Sequence, residues 1–272
     1  MKTRFKSLLL LAGVTTKLMA QTTGQITYEA MQKVDMSQMR VVINGQAVQP
    51  GSPDFPADIP DVRTFETKLL FAGNLGKEVR EGGGMMIRTF VGGPGGPGGP
   101  GGPGGRGPRQ NTNIQRPFEE QTFLDLSNRK YLTELSVKKE AETKVYRAEQ
   151  PFLKTPEGWT ESGQTKKIAG YVCKKATVPH RGETYTVWYT TELPFSYSPI
   201  RALIPPQGVV LAVEGGREAF KATKVDLKAA VSEKDIQPSA GAETVSSEQL
   251  NELRQKAMAD FRSRMMEQME RN

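Results

Sequence analysis

The residues best able to carry out chemistry are few and lie apart in the sequence. His180 is the only histidine, so a hydrolase that uses an imidazole base would depend on it, and its neighbours predict a hairpin turn. No Gly-x-Ser-x-Gly or Gly-x-x-x-x-Gly-Lys sequence occurs. Carboxylate pairs such as Glu119-Glu120 are adjacent, and adjacent strand residues face opposite sides. We therefore expect a non-catalytic protein without a cofactor, with an unrecognised enzyme as a lesser alternative.

Sulfur-bearing residues suggest a second chemistry, the binding of a soft metal such as copper(I). Cys173 is the only cysteine, and it fits either a small buried apolar residue or a metal ligand paired with His180. The two lie seven residues apart, on positions that a hairpin could bring together. Met265 and Met269 on the C-terminal segment are further thioether candidates. The buried-residue interpretation of Cys173 is favoured, and copper handling is the alternative function.

The first twenty residues have the layout of a secretory signal peptide. Lys2, Arg4 and Lys6 precede a short apolar run that contains Leu8 to Leu11. A membrane-spanning helix would need roughly 20 apolar residues, and the chain has no such run. The sequence therefore predicts an exported, periplasmic or secreted and cell-surface protein of a bacterial envelope that does not span the membrane.

Removal of that leader changes the charge of the protein. The whole chain carries a net charge of +7, but four basic residues and no acidic ones lie in the leader. The remaining chain has 33 basic and 30 acidic side chains, and they interleave. Nucleic-acid binding usually needs a dense basic face, so we exclude a nucleic-acid partner.

Most of the remaining chain is predicted to form short strands joined by turns. Alternating residues and turn signals place strands at 24–33, 64–71, 85–90, 121–126, 130–137, 141–149, 171–178, 184–191, 208–213 and 219–227. About ten such strands are too many for a flat sheet. The predicted fold is mainly β: a curled antiparallel meander sheet, as a half-barrel or a sandwich, with a C-terminal amphipathic helix.

Composition divides the chain into four parts. We predict a signal peptide over 1–20, a β-rich domain over 21–229, a polar linker over 230–245 and the helix over 246–272. Four consecutive Gly-Gly-Pro units predict a flexible loop over 91–110 within the β domain, because glycine and proline leave no side chain to bury.

The C-terminal segment carries an apolar stripe with helical spacing. A capping-box sequence, Ser246 to Gln249, precedes it. The linker before the segment suggests a helix that sits apart, and its apolar stripe predicts a docking face for an outer-membrane or envelope partner. The residues of this stripe are Leu250, Leu253, Phe261, Met265 and Met269.

Three short sequences occur in order between Trp159 and Gly215: Gly-Tyr-x-Cys-Lys-Lys-Ala, Trp-Tyr-Thr and a Pro-Pro-Gln-Gly-Val-Val-Leu turn. This stretch resembles the GLPGLI family of exported Bacteroidetes proteins, with the turn in place of the family's signature. The matching residues are Gly170, Tyr171, Cys173, Trp188, Tyr189, Pro205, Pro206, Gly208, Val209, Val210 and Leu211. The resemblance implies a β-rich periplasmic or surface protein of unknown function, with these residues in structural roles.

Together, these features predict a non-catalytic, exported cell-envelope protein. We expect it to function as a binding or accessory module. It would act with an outer-membrane partner such as a transporter, or bind a small apolar ligand on the concave face of the sheet.

Overall fold

The computed structural model describes residues 23–36, 41–43, 46–49, 51–53, 55, 60–80, 117–139 and 142–270. The predicted signal peptide, the Gly/Pro loop and the strand at 85–90 lie outside the described residues. The strands of the main sheet are β1 (Thr23–Lys33), β4 (Val62–Ala72), β5 (Leu75–Arg80), β6 (Phe118–Asp125), β7 (Lys130–Lys139), β8 (Glu142–Pro151), β9 (Thr160–Ile168), β10 (Tyr171–His180), β11 (Glu183–Thr190), β12 (Val209–Glu214), β13 (Glu218–Asp226) and β14 (Glu243–Thr244). A separate two-stranded hairpin pairs β2 (Val41–Ile43) with β3 (Gln46–Val48).

The twelve strands form one curled, unclosed sheet in the order β14-β8-β7-β6-β5-β4-β1-β13-β12-β11-β10-β9. Two meanders, β4 to β8 and β9 to β13, meet at β1, which pairs antiparallel with both β4 and β13. β14 pairs parallel with β8, whereas the other pairs in the main sheet are antiparallel. The predicted fold class, a mainly β protein with a curled meander sheet and a C-terminal helix, is confirmed.

Tight turns set the register of the second meander. The β9–β10 turn holds Ala169 and Gly170 at φ values of 47° and 92°, and the β10–β11 turn holds Arg181 and Gly182 at 51° and 80°. Two consecutive positive φ values match the twist of the flanking strands. This local geometry also explains β9, which was not predicted: its sequence is polar and exposed, and it forms because the turn pairs it with β10.

The segment between β11 and β12, residues 191–208, covers the inner face of the sheet, which we define as the face that carries Tyr28. The rings of Tyr28 and Tyr197 lie 6.2 Å apart, and those of Phe71 and Phe195 lie 4.9 Å apart. Leu203 and Ile204 are fully buried in this segment, near a 3-10 turn at Arg201–Leu203. The interior of the curled sheet is thus filled by its own chain.

The Pro205-Pro206 sequence brings this segment back to β12 at Gly208. Gly208 has a φ of 99°, and a Cβ atom there would collide with the carbonyl oxygen of Thr190. Val209, Val210 and Leu211 then enter β12 fully buried. These residues therefore form the turn into β12 and the buried start of that strand.

The segment between β13 and the helix, residues 227–245, crosses the outer face of the sheet. Glu134, only 4% exposed, forms an ion pair with Arg147 at 2.6 Å. The Ser239 amide and hydroxyl donate hydrogen bonds of 2.9 and 2.8 Å to the Glu134 carboxylate. Ile236 is fully buried, after a 3-10 turn at Glu233–Asp235. The predicted linker is therefore attached to the sheet by specific contacts.

The helix α1 (Ser247–Glu270) packs on the inner face over β7 and β8. The predicted capping box is present, with reciprocal hydrogen bonds between Ser246 and Gln249. The first part of the predicted stripe packs on the sheet: Leu250 is buried and Leu253 packs beside it, together with the buried Ala257. The helix therefore does not sit apart. The structure gives no side-chain placement for Met269, and no described helix has the length and apolar character needed to cross a membrane.

We expect Leu250→Ala to lower the free energy of unfolding by about 2–3 kcal/mol, because it leaves a cavity beneath the helix. Met266 lies on the same helix but is 64% exposed, so Met266→Ala is the matched control and should change stability by less than about 0.5 kcal/mol. Urea unfolding followed by circular dichroism measures both. Equal effects of the two variants would contradict the docking of α1 on the sheet.

Candidate functional site

A network of polar residues connects the inner face of the sheet to the covering segment 191–208. The Tyr197 hydroxyl donates a hydrogen bond of 3.2 Å to Glu78 Oε1, and Arg201 Nη2 lies 3.4 Å from Glu78 Oε2. Arg201 also donates to the Thr122 hydroxyl at 2.9 Å, and its guanidinium lies 4.3 Å from the centre of the Tyr131 ring. Both partners of the Glu78 carboxylate lie on the covering segment, so these contacts attach that segment to β5.

Burial controls the electrostatics of this network. Desolvation raises the pKa of Glu78, while Arg201 and the Tyr197 hydrogen bond act in the opposite direction. Desolvation and the nearby Glu78 also raise the pKa of Tyr131 and of Tyr197, so these phenols are protonated hydrogen-bond donors at neutral pH. The Tyr131 hydroxyl is buried and has no hydrogen-bond partner among the described residues. The network combines one carboxylate with donors that are not all used.

Beside this network, a cleft of about 270 Å³ opens to solvent. Its walls include two aromatic rings, Phe65 and Phe220, which meet edge to face at 6.3 Å. The Arg80 guanidinium lies 3.8 Å from the centre of the Phe65 ring. Glu78 and Glu218 supply carboxylates to the same cleft. Aromatic surface beside charged hydrogen-bonding groups is typical of sites for small polar ligands.

A second crevice lies between α1 and the sheet, lined by residues that include Val137, Tyr146 and Leu253. Its volume is about 30 Å³, which is the space of roughly one or two water molecules. It belongs to the packing of the helix, and we do not consider it a ligand site.

The structure does not bring the sequence-based metal candidates together. Cys173 and His180 lie at opposite ends of the same strand, β10, so seven residues separate them by roughly 23 Å. Met265 is on α1, which packs on β7 and β8. These strands lie near one end of the strand order, and β10 lies near the other end. Within the described part of the chain, no group of three or more His, Cys, Asp or Glu residues is arranged to hold a metal. The geometry offers no support for pairing these ligands.

The remaining motif residues lie on β10, on β11 and in the turn before β10. Trp188 is 8% and Tyr189 is 3% exposed on β11, and the Lys166 ammonium lies 4.0 Å from the centre of the Trp188 ring. Tyr171 begins β10 and packs on the same cluster as Cys173. None of these residues lines the cleft.

The residues of the cleft were not predicted from the sequence. Glu78 and Arg80 lie on β5, a strand of six residues that was not predicted. Tyr197 and Arg201 lie between prolines in a segment without strand or helix periodicity. The aromatic and charged residues of the cleft lie on strands that the register of the sheet aligns. The sequence alone does not show this register, so it does not show that these residues lie together.

We expect the Cys173 thiol to be unreactive in the folded protein. The residue is fully buried, and desolvation together with Glu192 raises its pKa to about 11, so little thiolate forms at neutral pH. Iodoacetamide should therefore label the protein slowly in buffer and rapidly in urea. A matched control is Val172→Cys in a Cys173→Ser background, since Val172 is the next residue and is 45% exposed. Equal labelling rates of the two thiols in buffer would contradict this placement.

The raised pKa of Glu78 predicts a specific pH dependence of stability. A carboxyl whose pKa is raised in the folded state contributes stability below its unfolded pKa, and this contribution is lost as the pH rises through the folded pKa. Wild type should therefore gain stability relative to Glu78→Gln as the pH falls from 7 towards 4.5, the ordinary value of this group. Urea unfolding across that range measures the difference. Tyr197→Phe removes a hydrogen bond that lowers the Glu78 pKa, so the transition should move to higher pH; an opposite trend would refute the assignment.

Comparison with known proteins places this fold in a family. A family model described as "N-glycanase peptide, N-terminal domain" matches residues 108–251, just over half of the chain. Two solved structures of PNGF-II, in the P21 and C2 space groups, are similar at 14% and 16% identity, each with a TM-score of 0.49. The match covers 87% of this chain but only 34% and 33% of those chains, so this chain spans about a third of their length. A sequence comparison with curated proteins gives no match.

The family match overturns the resemblance to the GLPGLI family. The stretch from Trp159 to Gly215, which carried that resemblance, lies wholly inside the segment that the N-glycanase model matches. Short strand and turn sequences such as Gly170-Tyr171 suit many β sheets, because a positive φ at the turn and apolar residues on the strand are their general requirements. The GLPGLI assignment is therefore wrong, and the chain belongs to the family described as N-glycanase peptide, N-terminal domain.

Proposed function

We propose that this chain is a non-catalytic recognition module whose inner-face cleft binds a saccharide. The observation that carries the proposal is the composition of the cleft: the Phe65 and Phe220 rings stand beside the Glu78 carboxylate and the Arg80 guanidinium. Sugar rings present C–H groups on their faces and hydroxyls at their edges. Aromatic rings pack against the faces, while charged groups exchange hydrogen bonds with the hydroxyls.

The family description supports the choice of a saccharide over other polar ligands. It names the N-terminal domain of an N-glycanase, an enzyme that acts on glycans. An apolar ligand on the concave face, the other expectation from sequence, is not favoured, because residues 191–208 fill that interior and the remaining cleft is lined by charged residues. The ligand we propose is therefore polar and small.

The hydrogen bonds of Glu78 favour recognition over catalysis. Tyr197 donates to one carboxylate oxygen, and Arg201 lies against the other. These two partners fix the orientation of the carboxylate and neutralise part of its charge. Each oxygen has a second lone pair, so it can accept a further hydrogen bond from a ligand hydroxyl. An enzyme remains the alternative, and the test below includes it.

An envelope partner is the second candidate, through the part of α1 beyond Ala257. Phe261 and Met265 continue the apolar stripe and are partly exposed, and Met266 is 64% exposed. Export to the periplasm or cell surface is part of this proposal and stays a prediction from the N-terminal sequence. The copper alternative lacks a comparable observation, since Cys173 and His180 lie far apart on β10.

Titration with N,N′-diacetylchitobiose and with mannose oligosaccharides, followed by NMR chemical shifts, tests saccharide binding. We expect saturable shifts and a roughly tenfold weaker affinity for Phe65→Ala, the loss of about 1.4 kcal/mol that an aromatic contact can supply. Tyr171→Ala is the control, since it truncates a partly exposed aromatic away from the cleft. Absence of shifts at millimolar saccharide would refute the proposal, and release of hydrolysis products would favour the enzyme alternative.

A further inference from the structure

The cleft on the inner face extends along the strands, from Glu78 to Glu218. Glu78 is the register partner of Leu69, which in turn pairs with Ile26 on β1. Glu218 pairs with Gln32 on the same strand. The two positions on β1 are six residues apart, which is about 20 Å of extended chain. The two carboxylates therefore mark opposite ends of the cleft.

The two aromatic rings of the cleft lie between these ends. Phe65 on β4 and Phe220 on β13 are both register partners of Ala30. Ala30 is fully buried, and its small side chain leaves room for the two rings to meet at 6.3 Å. The Arg80 guanidinium, 3.8 Å from the centre of the Phe65 ring, holds that ring in place. The cleft thus has an apolar platform with a carboxylate beyond each side of it.

The two ends of the cleft differ in their surroundings. At the Glu78 end, Tyr197 of the covering segment forms a wall, and Leu69 beside Glu78 is fully buried. At the other end, Gln32 lines the cleft and is exposed, one residue before β1 ends. A ligand that enters past Gln32 can therefore reach Glu78, where it meets packed side chains.

The distance between the ends sets the size of a matching ligand. In addition to their separation along the strands, β5 and β13 are three strand spacings apart, which is about 14 Å. One sugar ring is too short to contact both carboxylates, even when both side chains extend towards it. Two linked rings are long enough, because one can contact Glu78 while the next packs on the aromatic platform beside Glu218.

We propose that the cleft binds the terminus of a saccharide chain of at least two units, with the terminal unit at Glu78. The second unit packs on the Phe65 and Phe220 rings, and its hydroxyls donate hydrogen bonds to Glu218. Further units leave the cleft past Gln32. This inference rests on the proposed saccharide function and adds the length and the orientation of the ligand to it.

Saccharides of one, two and three units test the length. The full chain is titrated with N-acetylglucosamine, N,N′-diacetylchitobiose and N,N′,N″-triacetylchitotriose, and with mannose, mannobiose and mannotriose, and NMR chemical shifts are followed. Within a series that binds, we expect the disaccharide to bind roughly tenfold more tightly than the monosaccharide, because the second unit adds contact with an aromatic ring. The trisaccharide should bind like the disaccharide.

Equal affinities for the monosaccharide and the disaccharide would overturn this inference and leave the proposed function standing. Absence of binding by every saccharide would refute both.

Two variants at the exposed end assign the gain in affinity to the second unit. Glu218→Gln should weaken disaccharide binding roughly tenfold and Gln32→Ala about threefold, through lost hydrogen bonds, while monosaccharide binding stays unchanged. Gln32 is exposed, so its substitution should not affect folding. Glu214→Gln is the matched control, because Glu214 precedes the same β12–β13 turn but is 59% exposed and pairs with Lys166. Unchanged disaccharide binding in both variants, or an equal loss for both ligands, would contradict the placement of the second unit.

Blocking groups on the disaccharide test the orientation. One derivative carries a para-nitrophenyl group at the reducing end, and the other carries a 4,6-O-benzylidene group at the non-reducing end. We expect one derivative to keep the affinity of the free disaccharide and the other to lose it, because the cleft is closed at Glu78. Retention by both derivatives, or loss by both, would overturn the inference that the cleft holds a chain terminus.

Discussion

A single sheet that curls without closing has two large faces, and the same chain must cover both. A closed barrel would fill its interior with side chains from the strands alone. Here the inner face carries large apolar residues such as Leu69, Phe71 and Leu135, all fully buried. Strand side chains alone do not cover them, so two further segments, 191–208 and α1, divide this face between them. The other features of the structure depend on this division.

The first covering segment explains why the cleft is polar. Residues 191–208 must be fixed on an apolar face, and hydrophobic contact alone gives no unique register. The Tyr197–Glu78 and Arg201–Glu78 contacts supply that register from the side of β5. Tyr28 adds a hydrogen bond of 2.8 Å from β1 to the Val210 carbonyl oxygen on β12. Polar groups needed to position the segment thus lie next to solvent at its margin, where they can also contact a ligand.

Strands whose apolar and polar residues alternate could be predicted from the sequence. Strands that form only because a neighbouring strand pairs with them could not. β1, β7 and β10 follow period-two patterns, and the capping box before α1 contains the residues that its hydrogen bonds require. β9 has eight exposed residues in succession, so no apolar pattern marks it. The docking of α1 was missed because an apolar stripe looks the same whether it packs on its own sheet or on a partner. Burial of Leu250 decides that question, and it is a tertiary property.

The candidate site was hidden for a related reason. Its residues come from β1, β4, β5, β13 and the segment 191–208, which are distant in sequence and are brought together by strand order. β1 lies between β4 and β13, so a strand that precedes both meanders in the sequence joins them into one sheet. Local patterns carry no information about this insertion.

The path of the C-terminal segment limits what the helix can do. Residues 227–245 cross the outer face, pass the edge of β8 through β14 and deliver α1 to the inner face. The Val245 amide donates a hydrogen bond of 2.8 Å to the Arg147 carbonyl oxygen, on the same residue whose side chain pairs with Glu134. A buried ion pair is expensive to separate, because either charge left alone inside the protein loses several kcal/mol of solvation. Removing residues 227–270 would therefore leave Glu134 and Arg147 without Ser239 and would uncover Leu135 and Val137 beneath α1. A partner that engaged α1 would thus act on a helix that the domain itself needs.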